Sequence, residues 1–191
     1  MSANIIETMQ VNLGYTTLQK IDPNSQDTKL HQDQASVEKL GQGAIPAVMT
    51  ALYKFSRTEA GCREMLTAQY GADWLSVIYS GNEEAAVEKV AQYADVTPNQ
   101  ARSHMENIAE EAVKLVKSSV GVPATPEKIK VFMNSHRHHI LVYLPAALNM
   151  GDVLHDEGLD DKTNKMEGPV SNLMHKIENT FSDGDKKKGL F

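Results

Sequence analysis

Nowhere in this chain do β-branched or aromatic residues alternate with polar ones over the roughly four or more positions a half-buried strand needs. That absence excludes a sheet and leaves helices as the building material. Aromatic residues are scarce, at 6%, so the core must draw on nine methionines and many alanines. Small side chains let helix axes approach closely, and methionine fills irregular gaps between them. Cysteine occurs once, as Cys62, which excludes an intrachain disulfide and fits a reducing compartment. Positive charge is also short: 19 Lys and Arg against 25 Asp and Glu leave a formal charge of −6 and a pI near 5.6. Such a balance argues against general affinity for nucleic acid or for an anionic membrane. The longest apolar run, Ile140 to Leu148, is about half the ~20 residues a spanning helix requires. Met1 to Met9 lacks a basic stretch followed by an apolar one, so no secretory signal is expected. A soluble, cytoplasmic protein is the expectation. Gly-rich phosphate loops, G-x-S-x-G and paired Cys-x-x-Cys are all missing.

What is present is helical periodicity. Ile45, Val48, Met49, Leu52 and Phe55 recur at helical spacing within Gly43 to Phe55, GAIPAVMTALYKF, which carries a proline in its first turn. Ile140 to Met150, ILVYLPAALNM, echoes that Pro-Ala punctuation nearly a hundred residues later. Two faces so wide must be buried, and the other helices are expected to cover them. Gly14 ends a first amphipathic helix, and Tyr15, Leu18 and Ile21 continue its stripe. Ser36 is expected to cap a short helix from Val37, which hands over through Gly41-Gln42-Gly43 to the central segment. Thr58 is the capping candidate for a helix carrying Cys62, Met65 and Leu66 inward. Short apolar helices follow over Gly71 to Gly81 and from Glu83. Thr97-Pro98 and Thr125-Pro126 each place a capping hydroxyl before a proline at the first helical position. The helix begun at Pro126 is expected to run to about Leu154, kinked at Pro145.

Composition changes after Leu154. His155 to Gly168 is charged and rich in turn formers, whereas Val170, Leu173, Met174, Ile177 and Phe181 form an apolar helical edge. The expected organisation is a helical bundle over 1–154, a charged linker over 155–168, an amphipathic docking helix over 169–181 and a tail over 182–191. The fold class is therefore all-α, a compact bundle of about seven to eight helices with a C-terminal amphipathic helix behind a linker.

The order of these motifs resembles that of the bacterial YidB-like family of unknown function. The residues that carry the resemblance are GAIPAVMTALYKF, the Thr-Glu-Ala-Gly at Thr58 to Gly61, and Val90 to Val120, VAQYADVTPNQARSHMENIAEEAVKLVKSSV. Together they cover roughly Val37 to Val120. The resemblance implies a small all-helical protein rich in Ala and Gly, and it brings no catalytic residues.

Three constellations merit weighing. His136 and His139 share a helix face and could hold a borderline metal with a third ligand, for which His155, with Asp156 and Glu157, is nearest in sequence. Those candidates lie some four turns further along, and Arg137 adds positive charge beside the pair. Surface histidines are the simpler reading. Val87 to Ile108 has the outline of a helix-turn-helix in which Asn99, Gln100, Arg102 and Ser103 would face DNA, but Glu83, Glu84, Glu88, Glu106, Glu110 and Glu111 make that surface acidic. Cys62 sits near a helix N-terminus with no base within a few residues, which suits a small core residue. The preferred expectation is a non-enzymatic interaction protein, an adaptor or cargo of a bacterial assembly, with no cofactor. Its partner-binding residues would be Val170, Leu173, Met174, Ile177, Phe181, Leu190 and Phe191, engaging a protein partner or a second copy. A metal-dependent protein using His136, His139 and His155 is the alternative, and DNA binding comes third.

Overall fold

The computed structural model describes residues 4–22, 35–67 and 71–159, and among them every regular element is helical. Eight α-helices follow in order: α1 Ile5–Leu13, α2 Ser36–Phe55, α3 Glu59–Thr67, α4 Trp74–Tyr79, α5 Glu83–Ala94, α6 Pro98–Ser119, α7 Pro126–Leu141 and α8 Met150–Leu154. Two short 3-10 turns, Ala146–Leu148 and Glu157–Leu159, flank α8.

The starts of α1, α3, α4, α6 and α7 are built by short polar side chains, each satisfying one of the amide groups that a first turn leaves without a partner. Asn4 accepts from the Ile6 amide at 3.0 Å, Asp73 from Ser76 at 3.1 Å, and Thr58 from Gly61 at 3.0 Å. Thr97 and Gln100 form a reciprocal capping box ahead of α6, with Pro98 at its first position. Thr125 Oγ1 accepts from the Lys128 amide at the start of α7. Gly14 closes α1 in the left-handed region at φ 71°.

At the centre lies α2. Every residue from Leu40 to Tyr53 is buried, so this helix is enclosed on all sides. It packs most extensively against α5 and α6, and also against α1, α4, α7 and α8. The central segment is thus longer than the sequence suggested. Instead of a short helix from Val37 handing over at Gly41 and Gly43, one helix of 20 residues runs through both glycines and through Pro46. Packing supplies the reason. The Tyr15 ring lies over Gly41 and the Tyr93 ring over Gly43, where an added Cβ would stand only 2.7 and 2.9 Å from ring carbons. Burial on every side outweighs the cost of one proline, roughly 3 kcal/mol in a helix interior.

The second proline acts differently. The expected helix from Pro126 to Leu154, kinked at Pro145, does not form: α7 stops at Leu141. The Tyr143 and Leu144 amides tighten onto the carbonyls of Ile140 and Leu141, and the chain turns before Pro145. A residue preceding proline is pushed away from helical geometry, so Leu144 is where the helix must already have ended. Α short 3-10 turn and α8 then continue the chain. The apolar echo still fills the core, with Ile140, Leu141, Leu144, Leu148 and Met150 fully buried.

Packing continues past Leu154: Leu159 is buried with the rest of the core. The segment from Tyr15 to Ile21 is irregular rather than helical, and its apolar residues Leu18 and Ile21 are also buried. It is tied to the body by the Ile21 amide, which donates to the Val142 carbonyl at 2.8 Å. No described helix is long and apolar enough to cross a membrane.

Candidate interaction surface

The histidines singled out in the sequence all lie on or near α7 and α8. His136 faces the core, with Nδ1 2.8 Å from the Phe132 carbonyl oxygen and its ring 4.3 Å from that of Phe132. His139, one turn on, is exposed, and the two imidazoles stand 6.0 Å apart, centre to centre. His155 occupies the left-handed residue that ends α8 and lines an open cleft of about 600 Å³ with Gly151, Asp152 and Asp156. Asp156 there is paired with Arg57. Among the described residues, no three His, Cys, Asp or Glu side chains come together as a metal-binding group.

In the pair α5–α6, two residues of the helix-turn-helix outline, Arg102 and Gln100, are engaged by contacts within the fold. Arg102 is held by Glu84 and lies 3.7 Å from Glu106, and the hydrogen bond to Glu84 raises its already high pKa. Gln100 is engaged in the capping box. Cys62 is fully buried, its thiol donating to the Ser56 carbonyl at 3.0 Å, and burial pushes the thiol pKa up. A thiol so held packs the core, and its raised pKa keeps it in the thiol form.

The end of α6 and the outer side of α7 form a different surface. Val120, Val131 and Phe132 line an open groove of about 480 Å³, with Ser119 and Ser135 beside them and Glu127 and Lys128 at one end. Val131 is 68% exposed, and Val122, in the connection between the two helices, is 99% exposed. Glu127 stands in the first turn of α7, where backbone and Thr125 hydroxyl hydrogen bonds hold its carboxyl below the usual range. The inward stripe of α7 is Ile129, Met133, His136 and Ile140. Val131 falls on the opposite side of that stripe, where nothing in the core calls for an apolar residue.

Sequence reasoning passed over this groove. The signal was there: Val131 stands outside the period set by Ile129, Phe132, Met133, His136 and Ile140. The expected partner-binding residues Val170, Leu173, Met174, Ile177, Phe181, Leu190 and Phe191 lie outside the described residues. Comparison of the chain with family models, with curated proteins and with solved structures finds no match in any of the three.

Proposed function

We propose that this chain is a non-enzymatic helical interaction protein of the adaptor or cargo type, working by docking an amphipathic helix into a hydrophobic groove. The observation that carries this reading is the apolar groove between α6 and α7, with Val131 in solvent beside Phe132. An amphipathic helix laid in such a groove anchors at positions i, i+3, i+4 and i+7. Val170, Leu173, Met174 and Ile177 repeat at that spacing. The chain therefore carries both halves of a helix-in-groove contact, a groove on its body and an apolar edge in its C-terminal sequence. The YidB-like resemblance over residues 37–120 supplies an all-helical scaffold without chemistry, which accords with this role.

The experiment compares proteins recovered with the full chain, with Val131→Asp, and with a deletion of Glu167 to Phe191. The reading expects a defined set of proteins, or a self-associated form, that at least one variant loses. If both variants match the full chain in recovered proteins and in oligomeric state, the reading is wrong.

A further inference from the structure

The groove needs an occupant, and the course of the chain indicates one. Leu159 is packed in the core, and the carbonyl of Gly158 accepts a hydrogen bond from Arg137 Nη2 on α7 at 3.4 Å. The described chain thus leaves the body beside the helix that forms one wall of the groove. Phe132 lies five residues before Arg137, about 7.5 Å along the axis at 1.5 Å per residue. The groove lies round the other side of α7, a path set by a helix about 10–12 Å across. The ten residues from Asp160 to Pro169 reach up to about 33 Å when extended, enough to make that crossing.

Beyond that tether comes the edge Val170, Leu173, Met174, Ile177 and Phe181. As a helix its eleven intervals would run about 16 Å, close to the roughly 12 Å that α7 offers between Glu127 and Ser135. The segment carries Lys176 and Glu178, and the groove carries Lys128 and Glu127, so neither side meets an uncompensated like charge. Resting on the helix-in-groove reading above, we infer that the α6–α7 groove is the docking site for this chain's own residues 170–181. A tether of this length holds the segment at an effective concentration in the millimolar range, so at micromolar protein it outcompetes a second copy. A partner must then displace the segment to use either surface.

The test uses the full-length protein carrying Val131→Cys and Leu173→Cys together, oxidised at low micromolar concentration, with buried Cys62 left in place. A matched pair, Val11→Cys with Leu173→Cys, measures random encounter, because Val11 is exposed on α1 and does not line the α6–α7 groove. The inference expects an intramolecular disulfide at 131–173 in several-fold higher yield than at 11–173. It also expects Val131→Asp to speed tryptic cleavage at Lys176 several-fold while helical content falls by no more than the segment's own share. Equal yields at the two sites, or a 131–173 disulfide found only between chains, would overturn it. Partner loss in the comparison of the preceding section is read separately, so the interaction function survives a failure here.

Discussion

Gln42 grips Gln19 with both ends of its side-chain amide. Its Oε1 accepts from the Gln19 amide at 2.7 Å, and its Nε2 donates to the Gln19 carbonyl at 3.0 Å and to the Tyr143 carbonyl at 3.1 Å. One buried side chain on the central helix thereby secures the irregular segment after α1 and the turn that ends α7.

Gln42→Leu is therefore expected to destabilise by about 3 kcal/mol, since one amide and two carbonyls lose their partner in a place where Gln42 is only 2% exposed. Gln42→Glu should be worse at neutral pH, because a buried carboxylate can replace the acceptor but neither donation. Urea unfolding followed by helical circular dichroism measures both. A loss below about 1 kcal/mol for the leucine variant would show that water replaces these bonds without cost.

Much of this fold was legible in the sequence because helix starts announce themselves locally. Thr58, Thr97-Pro98 and Thr125-Pro126 each lie within the turn they cap, so position and chemistry coincide. Long-range packing was not legible. That α2 runs through Gly41, Gly43 and Pro46 depends on Tyr15 and Tyr93 arriving from distant stretches, and no local pattern reports them. The same limit hid the end of α7, where Pro145 could either kink a helix or stop one. The groove was half visible, since Val131 departs from the buried period, but its other wall comes from Ser119 and Val120 at the end of α6.

Gly61 and Gly41 should respond differently to alanine, although both lie within helices. An exposed helical glycine gains about 1 kcal/mol on replacement by alanine. At Gly61 a Cβ would overlap the Phe55 carbonyl oxygen, which is main chain and cannot swing away. At Gly41 the nearest atom belongs to the half-buried Tyr15 ring, whose hydroxyl lies 2.5 Å from His104 Nδ1. Gly61→Ala is expected to cost about 3 kcal/mol and Gly41→Ala about 1 kcal/mol, in the usual range for overpacking. Thermal unfolding that ranks them in the reverse order would show that the start of α3 yields more readily than Tyr15.

Thr50 is fully buried in α2, and its hydroxyl has no hydrogen-bond partner. Burying such a group costs about 1–3 kcal/mol, and valine fills nearly the same volume without it. Thr50→Val should accordingly raise stability by about 1 kcal/mol, visible as a higher urea midpoint at constant slope. A decrease would mean that the hydroxyl is satisfied in solution, by a water held inside the core.

The last expectation concerns alkaline pH. Burial pushes the phenol of Tyr15 up to about 12 and that of Tyr79 well above its ordinary value. Tyr79 is enclosed beside Met150, whose sulfur is 4.0 Å from its hydroxyl and a weak acceptor. For an acid whose folded pKa exceeds the unfolded one, the folded state keeps its proton while the unfolded chain releases it. The stabilisation is then complete below about pH 10 and is lost as pH climbs from there towards 12 and beyond. Tyr79→Phe removes a group that drives alkaline unfolding and gives up only the contact with Met150, so its unfolding midpoint should move to higher pH. Difference spectra of the tyrosinate band, wild type minus Tyr79→Phe, should show Tyr79 ionising together with the loss of helical signal. If Tyr79 instead ionised with the helices intact, its surroundings would have to admit water, and the close packing of α4 against the centre of the bundle would be wrong.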